Sequence, residues 1–169
     1  MNKPVAYAEI GVTTNFSFLR GASRPEELAA QASDLRLHAL GIADRNTLAG
    51  VVRVYRTFND LEEGLWKPKL LAGSRLCFTD DTPDILAYPR DREAYGRLCR
   101  LLTQVNLRGG KGECFLTFQD LMEHRYGLLL AVVPPRHCDE KFIEWLQRLE
   151  ESNKEQVWLL AAMLYRGRD

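Results

Sequence analysis

The chain has 169 residues, enough for one domain with a sizeable core. Its 23 Lys and Arg balance 23 Asp and Glu, so a formal net charge of zero gives no overall attraction to nucleic acid or to an anionic membrane. Hydrophobic residues make up 46%, which is typical of a globular domain and excludes a disordered chain.

Four cysteines are widely and irregularly spaced, at positions 77, 99, 114 and 138. They contain no C-x-x-C pair, which argues against a zinc ribbon, and a disulfide scaffold would be denser. We therefore expect reduced thiols in a cytoplasmic protein. Residues 1–8 lack the apolar stretch of a signal peptide, and no apolar run is long enough to cross a membrane.

The first predicted elements are a strand over residues 6–12 and a helix after it. Ser23 and Glu26 fit the S-x-x-E capping box at the start of that helix. The helix then places apolar residues on one face at helical spacing, namely Leu28, Ala29, Ala32 and Leu35.

A short apolar run over residues 39–43, closed by Asp44, predicts a buried parallel strand. A strand over residues 69–78, interrupted by Gly73, is predicted further on. Between them lies a second predicted helix, whose apolar face consists of Leu48, Val51, Val52, Tyr55 and Phe58.

The middle of the chain predicts a strand over residues 84–88, a helix after Asp91, and a glycine-rich loop over residues 106–113. The apolar stripe of this helix is Tyr95, Leu98, Cys99 and Leu102.

The last third begins with Thr117, which fits the cap of a short helix. A strand over 127–133 and a final strand over 156–165 are predicted on either side of another helix. The apolar face of that helix is Phe142, Trp145, Leu146 and Leu149.

About six strands alternating with helices predict an α/β fold with a mostly parallel sheet in a single domain over residues 1–169. An open doubly wound sheet and a partial barrel both fit this pattern.

Candidate motifs for chemistry are weak. Gly109 to Glu113 is rich in glycine, but a phosphate loop needs Ser or Thr after its lysine, and Gly112 follows Lys111. The three histidines, His38, His124 and His137, are scattered, which favours structural or surface roles over a metal site. Asp44 ends a strand, where α/β enzymes place catalytic groups, but an Asp there is also a common helix cap.

Several blocks of sequence, in order and over nearly the whole chain, resemble the error-prone branch of bacterial C-family DNA polymerases at their N-terminal PHP (polymerase and histidinol phosphatase) domain. The blocks are residues 15–23 with 25–28, 39–44 with 48–53, 88–92 with 95–103, and 110–114.

The resemblance implies a distorted (β/α)₇ barrel of the PHP type. Active members hold two or three metal ions through His, Asp and Glu at the C-terminal ends of the strands. With about six strands, we expect an incomplete barrel, truncated before the last strand or strands. Its open edge would then favour a dimer or an exposed apolar seam.

This sequence departs from the family pattern at the ligands. Gly11 and Thr13 stand where the first His-x-His motif is expected, and Arg45 follows Asp44 in place of a histidine. Arg75 replaces the Glu of a Gly-x-Glu motif, and Asp84 matches a further histidine. The final ligand motif would lie beyond residue 169.

We therefore expect a degenerate metal site at Gly11, Thr13, Asp44, Arg45, Arg75 and Asp84, with no catalytic residue, metal or cofactor in this chain. Arg45 and Arg75 are fixed cations that would stand in for the metals and pair with Asp44 or another acid.

The resemblance implies a module that stabilises a polymerase active in damage-induced synthesis past lesions, with catalytic Mg²⁺ bound in the palm domain elsewhere in the parent. Its partners would be the rest of the polymerase chain, DNA through the parent, a sliding clamp and damage-response accessory proteins. A metal-dependent phosphoesterase using Asp44, Asp84 and a histidine is the alternative, and a free-standing interaction protein is a third reading.

Overall fold

The structure, a computed structural model, describes residues 6–110 and 112–161. Six strands form one sheet in the order β1-β2-β3-β4-β5-β6. The strands are β1 (Ala8–Val12), β2 (Ala39–Arg45), β3 (Lys69–Leu76), β4 (Ile85–Pro89), β5 (Leu128–Val132) and β6 (Val157–Leu159). The helices are α1 (Pro25–Asp34), α2 (Ala49–Asn59), α3 (Arg92–Leu107), α4 (Phe118–His124) and α5 (Glu140–Ser152). In this part of the chain no helix has the length and apolar character needed to cross a membrane.

The sheet is mixed. β1, β2 and β3 run parallel, and so do β5 and β6, whereas β4 is antiparallel to both of its neighbours. The reversal at β4 follows from its connection to β3, which spans only residues 77–84. A parallel crossover needs a dozen or more residues, so this short link returns the chain in the opposite direction.

The sheet curls into an open half-barrel. The backbone N–H of Gly11 on β1 donates to the hydroxyl of Tyr88 on β4 at 3.1 Å. In a flat sheet these strands would lie about 14 Å apart, because neighbouring strands are about 4.8 Å apart. A tyrosine side chain cannot span that distance, so the contact requires strong curvature with Tyr88 on the concave face.

Two apolar clusters cover the convex face. One joins α1 and α2 to β2 through Ala29, Ala32, Leu40, Ile42, Val51, Val54 and Phe58. The larger cluster packs α3, α4 and α5 on β3, β4 and β5, and its fully buried members include Leu76, Ile85, Leu98, Leu101, Leu121, Leu128, Leu130 and Leu149. All five helices therefore lie outside the curl, and the concave face is free for the site.

Two predicted helix faces need correction. On α2 the buried line is Val51, Val54 and Phe58, whereas Val52 and Tyr55 are 54% and 59% exposed. Val52 and Tyr55 each follow a buried residue by one position, about 100° around the helix, which turns them to solvent. Leu35 lies beyond the end of α1 and is also exposed.

The predicted capping box at Ser23 and Glu26 is wrong by one residue. Arg24 is the residue before the helix, and its N–H donates to the Glu27 carboxylate at 2.9 Å. Pro25 occupies the first helical position, which suits its fixed φ and its lack of an N–H. The predicted cap of α4 is confirmed, because the Thr117 hydroxyl accepts from the Asp120 N–H. Residues 162–165 of the predicted last strand lie outside the described residues.

Candidate functional site at the mouth of the half-barrel

Four of the six positions predicted from the family pattern line one small cavity. The cavity has a volume of about 180 Å³, and its walls are Thr13, Ser17, Arg20, Ala43, Arg45, Arg75, Cys77 and Asp84. Thr13 directly follows β1, Arg45 ends β2, and Arg75 lies near the end of β3, paired in register with Arg45. The cavity is thus at the C-terminal mouth of the three parallel strands, where α/β folds place their chemistry.

Arg75 and Asp84 form an ion pair across the turn between β3 and β4. The Nε of Arg75 donates to Oδ2 of Asp84 at 2.8 Å, with 40% and 29% of the two side chains exposed. An exposed pair of this kind contributes at most about 1 kcal/mol to stability. Its main effect on the site is chemical, since the carboxylate that lines the cavity is already neutralised by a fixed cation.

The other two arginines of the cavity have no such partner. Among residues 6–110 and 112–161, no carboxylate lies within 4.0 Å of the guanidinium of Arg20 or Arg45. Arg45 and Arg75 share a register position on adjacent strands, so two permanent positive charges stand close together. Their repulsion opposes the binding of a divalent cation between them.

Asp44 is fully buried and does not line the cavity. Its carboxylate accepts from the Thr14 N–H at 2.8 Å, the Thr14 hydroxyl at 2.8 Å and the Ser17 hydroxyl at 2.7 Å. The Ser17 hydroxyl in turn accepts from the Arg45 N–H at 2.9 Å. Asp44 therefore fixes the loop after β1, which carries Thr13, Ser17 and Arg20 into the cavity wall.

Gly11 is also absent from the cavity wall. Its φ is +80°, a left-handed conformation that residues with a Cβ adopt at a cost, and its N–H is occupied by the Tyr88 hydroxyl. The two predicted positions outside the cavity, Gly11 and Asp44, thus shape the structure beneath it.

Cys77 is one of the residues that line the cavity, and it is 5% exposed. Burial, together with the nearby Asp84 carboxylate, raises the pKa of its thiol to about 11. A thiol with this pKa is neutral at physiological pH and is a poor nucleophile and a poor metal ligand.

Sequence reasoning did not single out Ser17, Arg20, Cys77 or Tyr88. Ser17, Arg20 and Tyr88 all lie within the blocks that carry the family resemblance, but their residue types alone carry no site signal. Their roles depend on contacts across strands that are distant in sequence, and an arginine-rich wall is recognisable only once the register is known.

The histidines are not brought together. His38 and His137 are exposed, and a ring nitrogen of His124 contacts the Asp120 carbonyl at 2.9 Å. In the described part of the chain, no three His, Cys, Asp or Glu side chains are grouped closely enough to hold a metal ion.

The glycine-rich run does not present an open phosphate loop. The Gly110 N–H donates to the Glu113 carboxylate at 3.1 Å, and the Glu113 N–H donates back to the Gly110 carbonyl. An acid of the chain itself thus occupies an N–H that a phosphate would need. Lys111 lies outside the described residues.

The profile of the PHP domain family matches residues 10–162. The chain belongs to the PHP domain family. It is 53% identical, over 98% of its length, to the error-prone DNA polymerase of Bradyrhizobium sp. (strain ORS 278), and 55% identical, over 99%, to that of Rhodopseudomonas palustris (strain BisB5). The corresponding protein of Caulobacter vibrioides is 48% identical over 99% of this chain. The chain spans about 15% of the length of each of these relatives.

Among solved structures, the fold is similar to a "putative metal-dependent phosphoesterase" from Bifidobacterium adolescentis, with a TM-score of 0.64 and 16% sequence identity. The match covers 92% of this PHP domain and 78% of the other chain. The expected α/β half-barrel and the family resemblance are therefore confirmed.

Proposed function

We propose that this PHP domain is a stabilising module of an error-prone DNA polymerase and does not itself cleave phosphoesters. The high identity to polymerases along almost its whole length supports the first part. In the parent protein, nucleotide addition past DNA lesions would depend on Mg²⁺ and on palm-domain residues outside this chain. Contacts with DNA, a sliding clamp and damage-response accessory proteins would likewise be made through the parent, in the cytoplasm.

The observation that carries the proposal is the Arg75–Asp84 ion pair beside Arg45. Metal-dependent phosphoester cleavage needs several anionic or imidazole ligands converging on the ions. The cavity offers one carboxylate, already paired, together with two hydroxyls and a neutral thiol. This donor set does not fit a cluster of two or three metals, and three guanidiniums supply the positive charge that metals would bring.

The stabilising role is supported by the concave face of the half-barrel. An open cavity of about 820 Å³ runs along it, and its mainly apolar walls include Ile10, Leu71, Leu129, Ala131 and Trp158. Ile10 and Trp158 remain 43% and 50% exposed. We propose that further parts of the polymerase chain cover this face, since the relatives are several times longer than this domain. A dimer through the open edge is the competing arrangement, and sedimentation over a range of concentrations distinguishes the two.

The test is elemental analysis of the purified domain after expression and dialysis with zinc and manganese. The Bifidobacterium protein, prepared in parallel, controls for metal loss during handling. We expect less than a tenth of an equivalent of metal per chain and no hydrolysis of model phosphomonoesters or phosphodiesters with either metal added. Stoichiometric metal together with hydrolysis that disappears in Asp44→Ala or Asp84→Asn would establish a metal-dependent phosphoesterase instead.

A further inference from the structure

We propose that the cavity at the mouth of the half-barrel binds a single phosphate group, held directly by Arg20, Arg45 and Arg75 without a metal ion. The inference rests on the proposed function, because it requires that no metal cluster fills the same space. It assigns a class of ligand to a cavity whose side chains do not fit a metal cluster.

The charge of the cavity favours an anion. Three arginines and one aspartate line it, an excess of two positive charges, although the chain as a whole is neutral. The buried Asp44 carboxylate beneath the wall accepts from three neutral donors of Thr14 and Ser17, so counting its charge leaves a local excess of one positive charge. A phosphate monoester carries a charge of about −1.5 to −2 at pH 7, opposite in sign to this local excess.

The guanidiniums retain unused donors. Arg75 commits its Nε to Asp84, and the described residues provide no hydrogen-bond partner for its terminal nitrogens. In the same part of the chain, the side chains of Arg20 and Arg45 donate no hydrogen bond to protein. A guanidinium presents five N–H groups in a planar fork that fits two oxygens of a phosphate.

The register between β2 and β3 sets the spacing between Arg45 and Arg75. Arg45 and Arg75 are paired on β2 and β3, so their backbones are about 4.8 Å apart and both side chains reach one tetrahedral anion. Placing an anion between them also removes their mutual repulsion, which the structure otherwise leaves uncompensated at Arg45.

Two hydroxyls line the cavity, and only that of Thr13 is free to bind a ligand. Thr13 Oγ1 makes only a long contact of 3.5 Å to the Gly11 carbonyl, so it can turn toward a ligand. Ser17 Oγ donates to Asp44 and accepts from the Arg45 N–H, and it is therefore occupied. The volume of about 180 Å³ suits one small anionic group with a few waters.

The ligand chemistry is thus a phosphate group, either inorganic phosphate or the terminal phosphate of a nucleic-acid strand. The test is isothermal titration calorimetry of inorganic phosphate into the 169-residue chain, in a phosphate-free buffer with EDTA and with ionic strength held constant by sodium chloride. The variants are Arg45→Gln and Arg45→Lys. The matched control is Arg148→Gln, which makes the same charge change at an exposed position on α5 outside the cavity.

We expect saturable binding that weakens at least tenfold in Arg45→Gln, by less in Arg45→Lys, and not at all in Arg148→Gln. Circular dichroism of each variant verifies folding, and Arg45→Lys keeps the test valid if Arg45→Gln misfolds. A 5′-phosphorylated dinucleotide that competes with phosphate, where its unphosphorylated form does not, would identify a strand end as the source. Competition by neither would identify the free anion.

No saturable binding, or equal binding by Arg45→Gln and wild type, overturns the phosphate site and leaves the non-catalytic module intact. Competition by the unphosphorylated dinucleotide equal to that of the phosphorylated one also overturns it. Phosphate binding that appears only when zinc or manganese replaces EDTA would instead overturn the proposed function, because metal would then be the phosphate ligand.

Discussion

The Tyr88 ring lies directly over Gly73, its neighbour on the adjacent strand. A Cβ at Gly73 would stand 2.4 Å from two carbons of the ring and 2.9 Å from the Ala87 carbonyl oxygen. A Cβ at Gly41, one strand further, would meet the Tyr88 hydroxyl at 3.0 Å. The side chain thus crosses β3 and β2 over glycines and ends at the Gly11 N–H, so glycines at three positions make room for the tyrosine on the concave face.

Gly73→Ala is expected to destabilise the domain by about 1–3 kcal/mol, the usual cost of forcing extra volume into a packed interior. The ring cannot retreat without losing its contact with β1, and the strand cannot shift without breaking its register. Urea unfolding followed by tryptophan fluorescence measures the change.

Gly96→Ala is the matched control for this substitution. It adds the same methyl group within α3, where the nearest atom would be 3.8 Å away, so the better helix propensity of alanine is expected to raise stability by about 0.5–1 kcal/mol. Equal effects of the two substitutions would show that the Tyr88 contact is not tight.

Tyr88→Phe tests the end of the same side chain. The substitution keeps the ring and removes the acceptor for the Gly11 N–H, which is partly buried, so we expect a loss of about 1 kcal/mol. Tyr55→Phe on the exposed side of α2 is the control and is expected to change the free energy of unfolding by less than about 0.5 kcal/mol. Hydrogen exchange at Gly11 should accelerate only in Tyr88→Phe, and unchanged protection there would contradict the bond.

The elements of this fold were largely predictable from local sequence. The apolar run 39–43 lies in β2, the middle one of the three parallel strands, the helix predicted after Asp91 is α3, and the predicted cap at Thr117 opens α4. These features depend on residues close together in sequence, where periodicity and capping chemistry act. The buried face of α2 was mispredicted at Val52 and Tyr55, since several stripes fit its apolar residues and only packing selects one.

Only part of the candidate site was predictable from the sequence, because side-chain directions at strand ends depend on contacts with distant loops. The family pattern pointed to Thr13, Arg45, Arg75 and Asp84, which the fold does gather. It did not distinguish Asp44, whose carboxylate turns away to hold Thr14 and Ser17. The direction of a side chain at the end of a strand depends on the loop that meets it, and no local pattern specifies that contact.

Asp44→Ala is expected to lower the free energy of unfolding of the domain. Removing a buried carboxylate leaves the Thr14 N–H and two hydroxyls without an acceptor, and each unsatisfied buried group costs about 1–3 kcal/mol. We expect a total loss of at least about 2 kcal/mol in urea unfolding, with faster proteolysis of the loop over residues 13–23. Asp84→Asn, at a partly exposed pair, is the comparison and should cost about 1 kcal/mol or less. A stable Asp44→Ala domain would contradict the structural role of this residue.

The buried thiol of Cys77 predicts a loss of stability in alkali. Its pKa is about 11 in the folded state, raised chiefly by burial, against 9.0 ordinarily. The unfolded chain therefore releases this proton first, and the contribution of Cys77 to stability is full below pH 9 and lost as the pH rises toward 11. Tyr88, whose pKa burial raises to about 12, acts in the same direction from about pH 10, and the Cys114 thiol, whose pKa burial also raises, acts in the same direction from about pH 9. The contribution of Cys77 is therefore taken between pH 8 and 10 as the difference between wild type and Cys77→Ala. Over that interval the free energy of unfolding should fall more steeply in wild type and in the exposed-thiol control Cys138→Ala than in Cys77→Ala. An equal slope in Cys77→Ala would mean that the thiol is not shielded from solvent.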